Sequence, residues 1–384
     1  MSSSTSSPRS SRSGPRAAAA TEPSSSGGAP APSWRSHALD LLAACPRLRD
    51  PAARGRLTDL PIDTTPSDLE ELAGVKLDSL YYLARDPDAP RQRLYDAVWR
   101  IQREAVREAL ASFAAAGVAT IVFKGAELLE RYYRPHGLSL LVDFDVLVAR
   151  ERLVEAQRIL FGLGYRPAVY RRGEGLVDRD IGAIATIESG HYQLPSFMRV
   201  AEPKLDPDLV GLARELGETG DGPLIRDGDR LAVVVECDVH HRVATDVDTA
   251  PLFERAVPSA LGAGSTLGPA DHLWFTLSRL YVEVALHRKR SLRDFAYLLP
   301  LVAEGGVDWS VVLEAGAGAE TELRPHLYYF LSFVRELLGG GVPAEVLDGL
   351  DPTQGSRDHD WGWQLGKLFS TVEPSPLQAI RDAR

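Results

Sequence analysis

Residues 140–148 read LLVDFDVLV, an apolar run carrying two aspartates, Asp143 and Asp145, at a spacing of two. In an extended strand that spacing sends both carboxylates to one face, roughly 6.5–7 Å apart. An unpaired buried carboxylate is costly to desolvate, so a fold that uses this strand must supply something for that face to meet. A second run, LAVVVECDVHHRV at 231–243, repeats the problem. Val233, Val235, Cys237 and Val239 share one face, and Val234, Glu236, Asp238 and His240 share the other.

Three or four carboxylates from two strands repel one another unless cations lie between them. Mg2+ or Mn2+ suits such a face, being hard, oxygen-seeking and able to bridge carboxylates and phosphates. The alternative is an edge strand whose aspartates face solvent, which the apolar flanks disfavour. His240 and His241 beside Asp238 read as structural or supporting residues, because no third His or Cys stands at metal-ligand spacing.

The surroundings predict an α/β core. Val118–Phe123 is a short β-branched strand, 126–133 suits a helix, Pro135–Gly137 a turn, 140–148 a strand, and 151–163 a helix stopping near Gly164. Residues 166–190 read as irregular, 191–200 as a strand and 202–229 as a Pro/Gly/Asp-rich loop. Helices are expected before the core at 33–45, 65–75 and 90–116. Ser67 and Glu70 form a capping box for the second; Leu94, Val98, Ile101, Ala105, Leu110 and Phe113 stripe the third, with Gly117 at its end. Helices are also expected after it, at 269–286, 308–317 and 320–338. Between them lies HRKRSLRDFAYLLP (287–300), whose His287, Arg288, Lys289, Arg290 and Arg293 either solvate a helix end or close on an anionic substrate.

The first 33 residues are rich in Ser, Pro, Ala, Gly and Arg and are expected to be a disordered tail, because they cannot offset ordering entropy by burial. The organisation expected is therefore a tail (1–33), an N-terminal helical region (34–117), a small mixed-sheet α/β core (118–245), a C-terminal helical region (246–345) and a C-terminal tail (346–384) containing Trp361 and Trp363. A net charge of −10 argues against coating nucleic acid or an anionic membrane. Two cysteines in unrelated contexts supply no disulfide framework, so a cytoplasmic location is expected. No apolar run is long enough to span a bilayer.

The segments FKGAELLERYY, GLSLLVDFDVLV, LGYRP and CDVHHRV resemble a bacterial nucleotidyltransferase-like family of the DNA polymerase beta nucleotidyltransferase superfamily, whose genes lie beside peptide-natural-product and polysaccharide genes. The family reads LKGxxLxxxxY, GLRxxxDIDLLV, a helix ending in GY, and DLHW. The resemblance implies a small mixed-sheet nucleotidyltransferase core between helical regions. It implies a metal-dependent transfer of a nucleoside monophosphate from an NTP such as ATP to an acceptor, which is a small molecule, peptide or protein. It makes Asp143 and Asp145 the metal pair and Asp238 the third carboxylate, with Mg2+ or Mn2+ as cofactor. Lys124, Gly125, Ser139 and Arg293 become nucleotide-binding residues, with Arg293 and Asp294 a structural or substrate-side pair. Ser139 stands where the family has Arg, and His241 where it has Trp. A glycosyltransferase using a nucleotide-sugar through its DxD, and a non-catalytic binding scaffold, are the competing expectations. The mutual repulsion read into the acid face also implies that Asp145→Asn leaves the metal-free protein folded, even slightly stabilised.

Overall fold

The acid-bearing runs lie side by side in the computed structural model, which describes residues 34–48, 64–219, 222–242, 248–285, 291–318 and 323–351. The strands are β1 Thr120–Phe123, β2 Asp143–Val148, β3 Arg166–Arg171, β4 Gly175–Asp178, β5 Phe197–Ala201, β6 Leu224–Asp227, β7 Arg230–His240, β8 Val257–Pro258 and β9 Ser265–Thr266. Among the described residues they form one mixed sheet in the order β4-β3-β5-β7-β2-β1-β9-β8, with β6 also pairing β7. β2 is central, antiparallel to β1 and parallel to β7. The fold class is α/β, as expected.

One face of the central strands is apolar: Val122, Phe144, Val146, Val148, Cys237 and Val239 are buried. Helix Pro90–Ala115 packs across β1 and β7 and against helix Leu153–Gly162. Its stripe closes the core with Leu94, Val98, Phe113 and Trp99, each contributing on the order of 1.5–3 kcal/mol by burial. Gly117, at φ 68, follows the helix and lets the chain turn into β1. Helix Gly125–Tyr133 packs on β1 and β2 and against helix Arg293–Glu304. Helix Pro269–Ala285 reaches the opposite face of the sheet, where Phe275 meets Phe123 edge-on at 5.3 Å. Among the described residues no helix is long and apolar enough to cross a membrane.

Three expectations are corrected. The stretch 166–190 is not irregular: β3 and β4 form a hairpin, turned through Gly173 and Gly175 at positive φ, and Asp180 caps helix Ile181–Gly190. The hairpin escapes a pattern reading because it is an edge element, with Ala168 its one fully buried residue and Pro167 inside β3. The loop expected at 202–229 contains helix Val210–Thr219 and β6. Gly217, which reads as a breaker, is there for contact: a Cβ would meet the Arg226 backbone nitrogen at 2.8 Å. The capping box belongs to Thr65 and Asp68, not Ser67 and Glu70, because Pro66 opens helix Pro66–Gly74.

The described residues fall in the compact unit 33–384, within which β9, from beyond residue 245, pairs with β1. The tail 1–33, the basic residues 287–290, and Trp361 and Trp363 lie outside the described residues.

Candidate active site

Pairing in the central strands brings the acids together. In the β2–β7 register Asp143 faces Glu236, Asp145 faces Asp238, and Leu147 faces His240. On the other side Phe123 of β1 is opposite Asp145. One face of three strands therefore carries four carboxylates, an imidazole and a phenyl ring. Asp145 and His240 are buried and Asp238 nearly so, at 5%, 2% and 9% exposure. Ligand atoms of Asp145, Asp238 and His240 lie within 4.8 Å of one another.

The two facing aspartates are served very differently. Lys124 Nζ donates to Asp145 Oδ1 at 2.8 Å, and His240 Nε2 lies 2.9 Å from the same oxygen. A carboxylate only accepts, so the imidazole carries its proton on Nε2. Burial alone would raise the Asp145 pKa, but Lys124 and His240 together hold it well below the usual carboxylate range. Burial pushes His240 down to about 4, so the ring is neutral. Asp238 accepts one long bond from Gln193 Nε2, 3.3 Å, and its buried Oδ1 has no hydrogen-bond partner. Burial, then the charges of Asp143 and Asp145, push its carboxyl up to about 8, a rise that the Ser196 hydroxyl only tempers. Glu236 is raised as well, by burial first and by Asp143 among its neighbours. The imbalance expected across the whole face is thus concentrated on the β7 side.

The donor set tests whether a cation fits. Two carboxylates and an imidazole within reach of one point, one carboxylate oxygen buried without a donor, and an excess of acid over base all suit a divalent ion. A carboxylate set admits Mn2+ as readily as Mg2+. In such a set Asp145 and Asp238 would be the ligands with Asp143 alongside, while His240, its Nε2–H given to Asp145, would hold that carboxylate in place.

The residues read as nucleotide-binding are placed as follows. Lys124 stands at φ 57 before helix Gly125–Tyr133; its backbone N–H donates to His272 Nε2 at 3.2 Å. Burial lowers the His272 pKa to about 3, leaving the ring neutral and able to accept. Gly125 lies close under Leu141, whose Cδ1 would have to shift for a Cβ there, at 2.6 Å. Ser139 is a buried loop residue at φ 54 whose N–H donates to Ser79 Oγ. Arg293 Nη1 donates to the Leu140 carbonyl at 2.9 Å, with its guanidinium 5.9 Å from the Tyr297 ring centroid.

Ser139 and Arg293 therefore hold the loop that feeds β2. They share the work with residues the sequence reading passed over. Gln102 Nε2 donates to the Leu141 carbonyl, Gln92 Nε2 to the Gly137 carbonyl, and the Gly137 N–H donates to Asp96. The helices on either side of the core thus aim Asp143 and Asp145 through buried hydrogen bonds. The available signal was Gln102, a polar residue on the stripe of Val98, Ile101 and Ala105. Also missed were Tyr192, whose ring stacks on His240 at 5.6 Å and 15°, and Arg279, whose guanidinium lies 5.3 Å from the Tyr192 centroid. Arg279 is close enough to Lys124 and His240 to act on their charge. His241 lies just past the strand, its N–H donating to the Tyr192 carbonyl.

No curated protein and no solved structure matches the chain. A family model described as "Uncharacterised nucleotidyltransferase" matches residues 93–339, from the helix that pins the loop to the far end of helix Leu323–Leu338. Spanning well over half the sequence, and with it every residue of the acid face, that match makes the chain a member of this nucleotidyltransferase family.

Proposed function

We propose that the protein is a metal-dependent nucleotidyltransferase of the DNA polymerase beta superfamily, moving a nucleoside monophosphate from an NTP to an acceptor and releasing pyrophosphate. The observation that carries this reading is the register that sets Asp145 beside Asp238, with a buried Asp238 oxygen that has no hydrogen-bond partner. Asp143, Asp145 and Asp238 would hold Mg2+ or Mn2+, and His240 orients Asp145. The ion, when bound, would supply positive charge to the transferring phosphoryl group and make the acceptor hydroxyl more acidic. Asp238 completes that ligand set through Oδ1 or, ionised beside the bound cation, takes the proton of the acceptor hydroxyl. Lys124 and Arg279 are the cations on hand for the triphosphate, and Gly125 lets the backbone at the start of its helix approach it. The acceptor is a hydroxyl of a small molecule, peptide or protein in natural-product or polysaccharide biosynthesis, and the setting is the cytoplasm.

The Lys124–Asp145 ion pair favours one other reading, a nucleotide-binding scaffold that carries out no transfer. Transfer of label from each α-phosphate-labelled NTP, with matched pyrophosphate release, separates the two. Mg2+- or Mn2+-dependent NTP binding that Asp143→Asn abolishes, accompanied by transfer, supports the enzyme. Binding without transfer to any acceptor pool supports the scaffold, and selective binding of a nucleotide-sugar returns the glycosyltransferase.

A further inference from the structure

The acid face already contains a cation, and its placement has a consequence for metal binding. Asp145 Oδ1 takes the Lys124 ammonium at 2.8 Å and the His240 Nε2–H at 2.9 Å. An oxygen with two donors has no lone pair left for an ion. We infer that Lys124 is a built-in counter-cation that occupies the metal's place on Asp145 in the free protein and makes metal capture depend on nucleotide. The inference rests on the metal-site reading of Asp145 proposed above.

Three observations support a seat built for this ammonium. Its surroundings are aromatic as well as acidic: Nζ lies 5.4 Å from the Phe123 ring centroid and 5.8 Å from that of Phe275. Two ring faces and a carboxylate suit a desolvated cation, and the Lys124 side chain is only 19% exposed. The backbone beneath it is held at φ 57 and ψ −135, which a side-chain-bearing residue adopts at a cost, and His272 clamps its N–H. Finally, neutralisation is one-sided. Asp238 is served by neutral groups, the Gln193 amide and the Ser196 hydroxyl, and its Oδ1 has no hydrogen-bond partner. The fold thus supplies one cation for Asp145 and leaves Asp238 for a cation from outside.

An ion shared by Asp145 and Asp238 either displaces Nζ from Oδ1 or takes Oδ2 against the charge of the ammonium beside it, and in both cases it competes with Lys124. A polyphosphate changes that balance from both sides. It offers the displaced ammonium a new anion, and it offers the ion further oxygen ligands. Metal and nucleotide then bind with positive coupling, and the coupling is reciprocal.

The test measures Mn2+ binding to the full chain by the electron paramagnetic resonance signal of free Mn2+. It is run with and without a mixture of the α,β-methylene analogues of ATP, GTP, CTP and UTP. Wild type, Lys124→Met and Lys124→Arg are compared. Without analogue, Lys124→Met is expected to bind Mn2+ on the order of tenfold tighter than wild type, because a neighbouring charge no longer competes. Lys124→Arg is expected to stay close to wild type, and the analogues to raise Mn2+ affinity far more in wild type than in Lys124→Met. Melts in EDTA add a second readout: Lys124→Met melts below wild type and Mn2+ alone restores it. If Lys124→Met binds Mn2+ no tighter than wild type, while wild type binds it with the analogues, the counter-cation inference is overturned and the metal site stands. If no form binds Mn2+ under either condition, the metal site itself is refuted and the inference with it. A third measurement needs no variant: independent rather than cooperative binding of Mn2+ and analogue by wild type also overturns the inference.

Discussion

Asp238 should behave in the opposite way to an ion-paired aspartate such as Asp145. Its carboxyl is pushed up to about 8, by burial first and then by Asp143 and Asp145. Folding therefore favours its protonated form. Below about pH 4 the group is protonated in both folded and unfolded chains and costs nothing. As pH rises toward 8, the unfolded chain ionises it freely while the folded chain resists, and stability falls by about 1.4 kcal/mol per pH unit. At pH 7 the accumulated penalty is on the order of 4 kcal/mol, an upper bound that water penetration lowers. Asp238→Asn removes it, and the amide oxygen still accepts from Gln193. In EDTA at pH 7 the variant should be about 2–4 kcal/mol more stable than wild type, a melting rise of roughly 4–8 °C at ~2 °C per kcal/mol. Its stability should also be flatter between pH 5 and 8. With Mn2+ and NTP the gap should close, because ligand at 100 times its Kd adds about 2.7 kcal/mol to wild type alone. Melts across pH, with EDTA and with Mn2+ plus NTP, test this directly. If Asp238→Asn melts below wild type in EDTA with an unchanged pH slope, Asp238 is a satisfied structural residue and the reasoning fails.

Asp145→Asn should destabilise the metal-free protein by about 3 kcal/mol, because it strands the buried Lys124 charge; a neutral or stabilising effect in EDTA melts would restore the simple repulsion picture. Gly137→Ala should cost more than Gly125→Ala. The new Cβ at 137 meets the Tyr95 carbonyl oxygen at 2.7 Å, whereas at 125 it meets only a movable Leu141 methyl; overpacking of this kind costs about 1–3 kcal/mol, readable by denaturant titration. Cys45 and Cys237 are buried free thiols, and burial pushes Cys45 up to about 12 and Cys237 well above the ordinary thiol value. Both should resist a thiol reagent until the protein is unfolded, and rapid labelling of the native chain would contradict that.

The acid face was legible in the sequence because the strand period is local. Asp143 with Asp145, and Glu236 with Asp238 and His240, share faces whatever else the chain does. The amphipathic helix at 90–115 was legible for the same reason, its stripe needing only its own period of 3.6. The hairpin 166–178 and strand 224–227 were not legible, because edge elements bury too little to impose a pattern. Nor were the roles of Gln92, Gln102 and Arg293, which are defined by loop carbonyls some forty or more residues away.

Backbone pleating alone dictates that two strands each carry acids on one side, since it acts residue by residue along the chain. Which groups stand next to each other is settled elsewhere, in the pairing of the strands. The antiparallel β1–β2 register puts Phe123 opposite Asp145 and so brings the neighbouring Lys124 within an ion-pair distance of it, while the parallel β2–β7 register sets Asp238 beside the same carboxylate. Strand pairing is a long-range choice made by the packing of the whole sheet. Two aspartates that look alike in sequence therefore end as opposites, one neutralised by a lysine and the other left buried and in want of a cation.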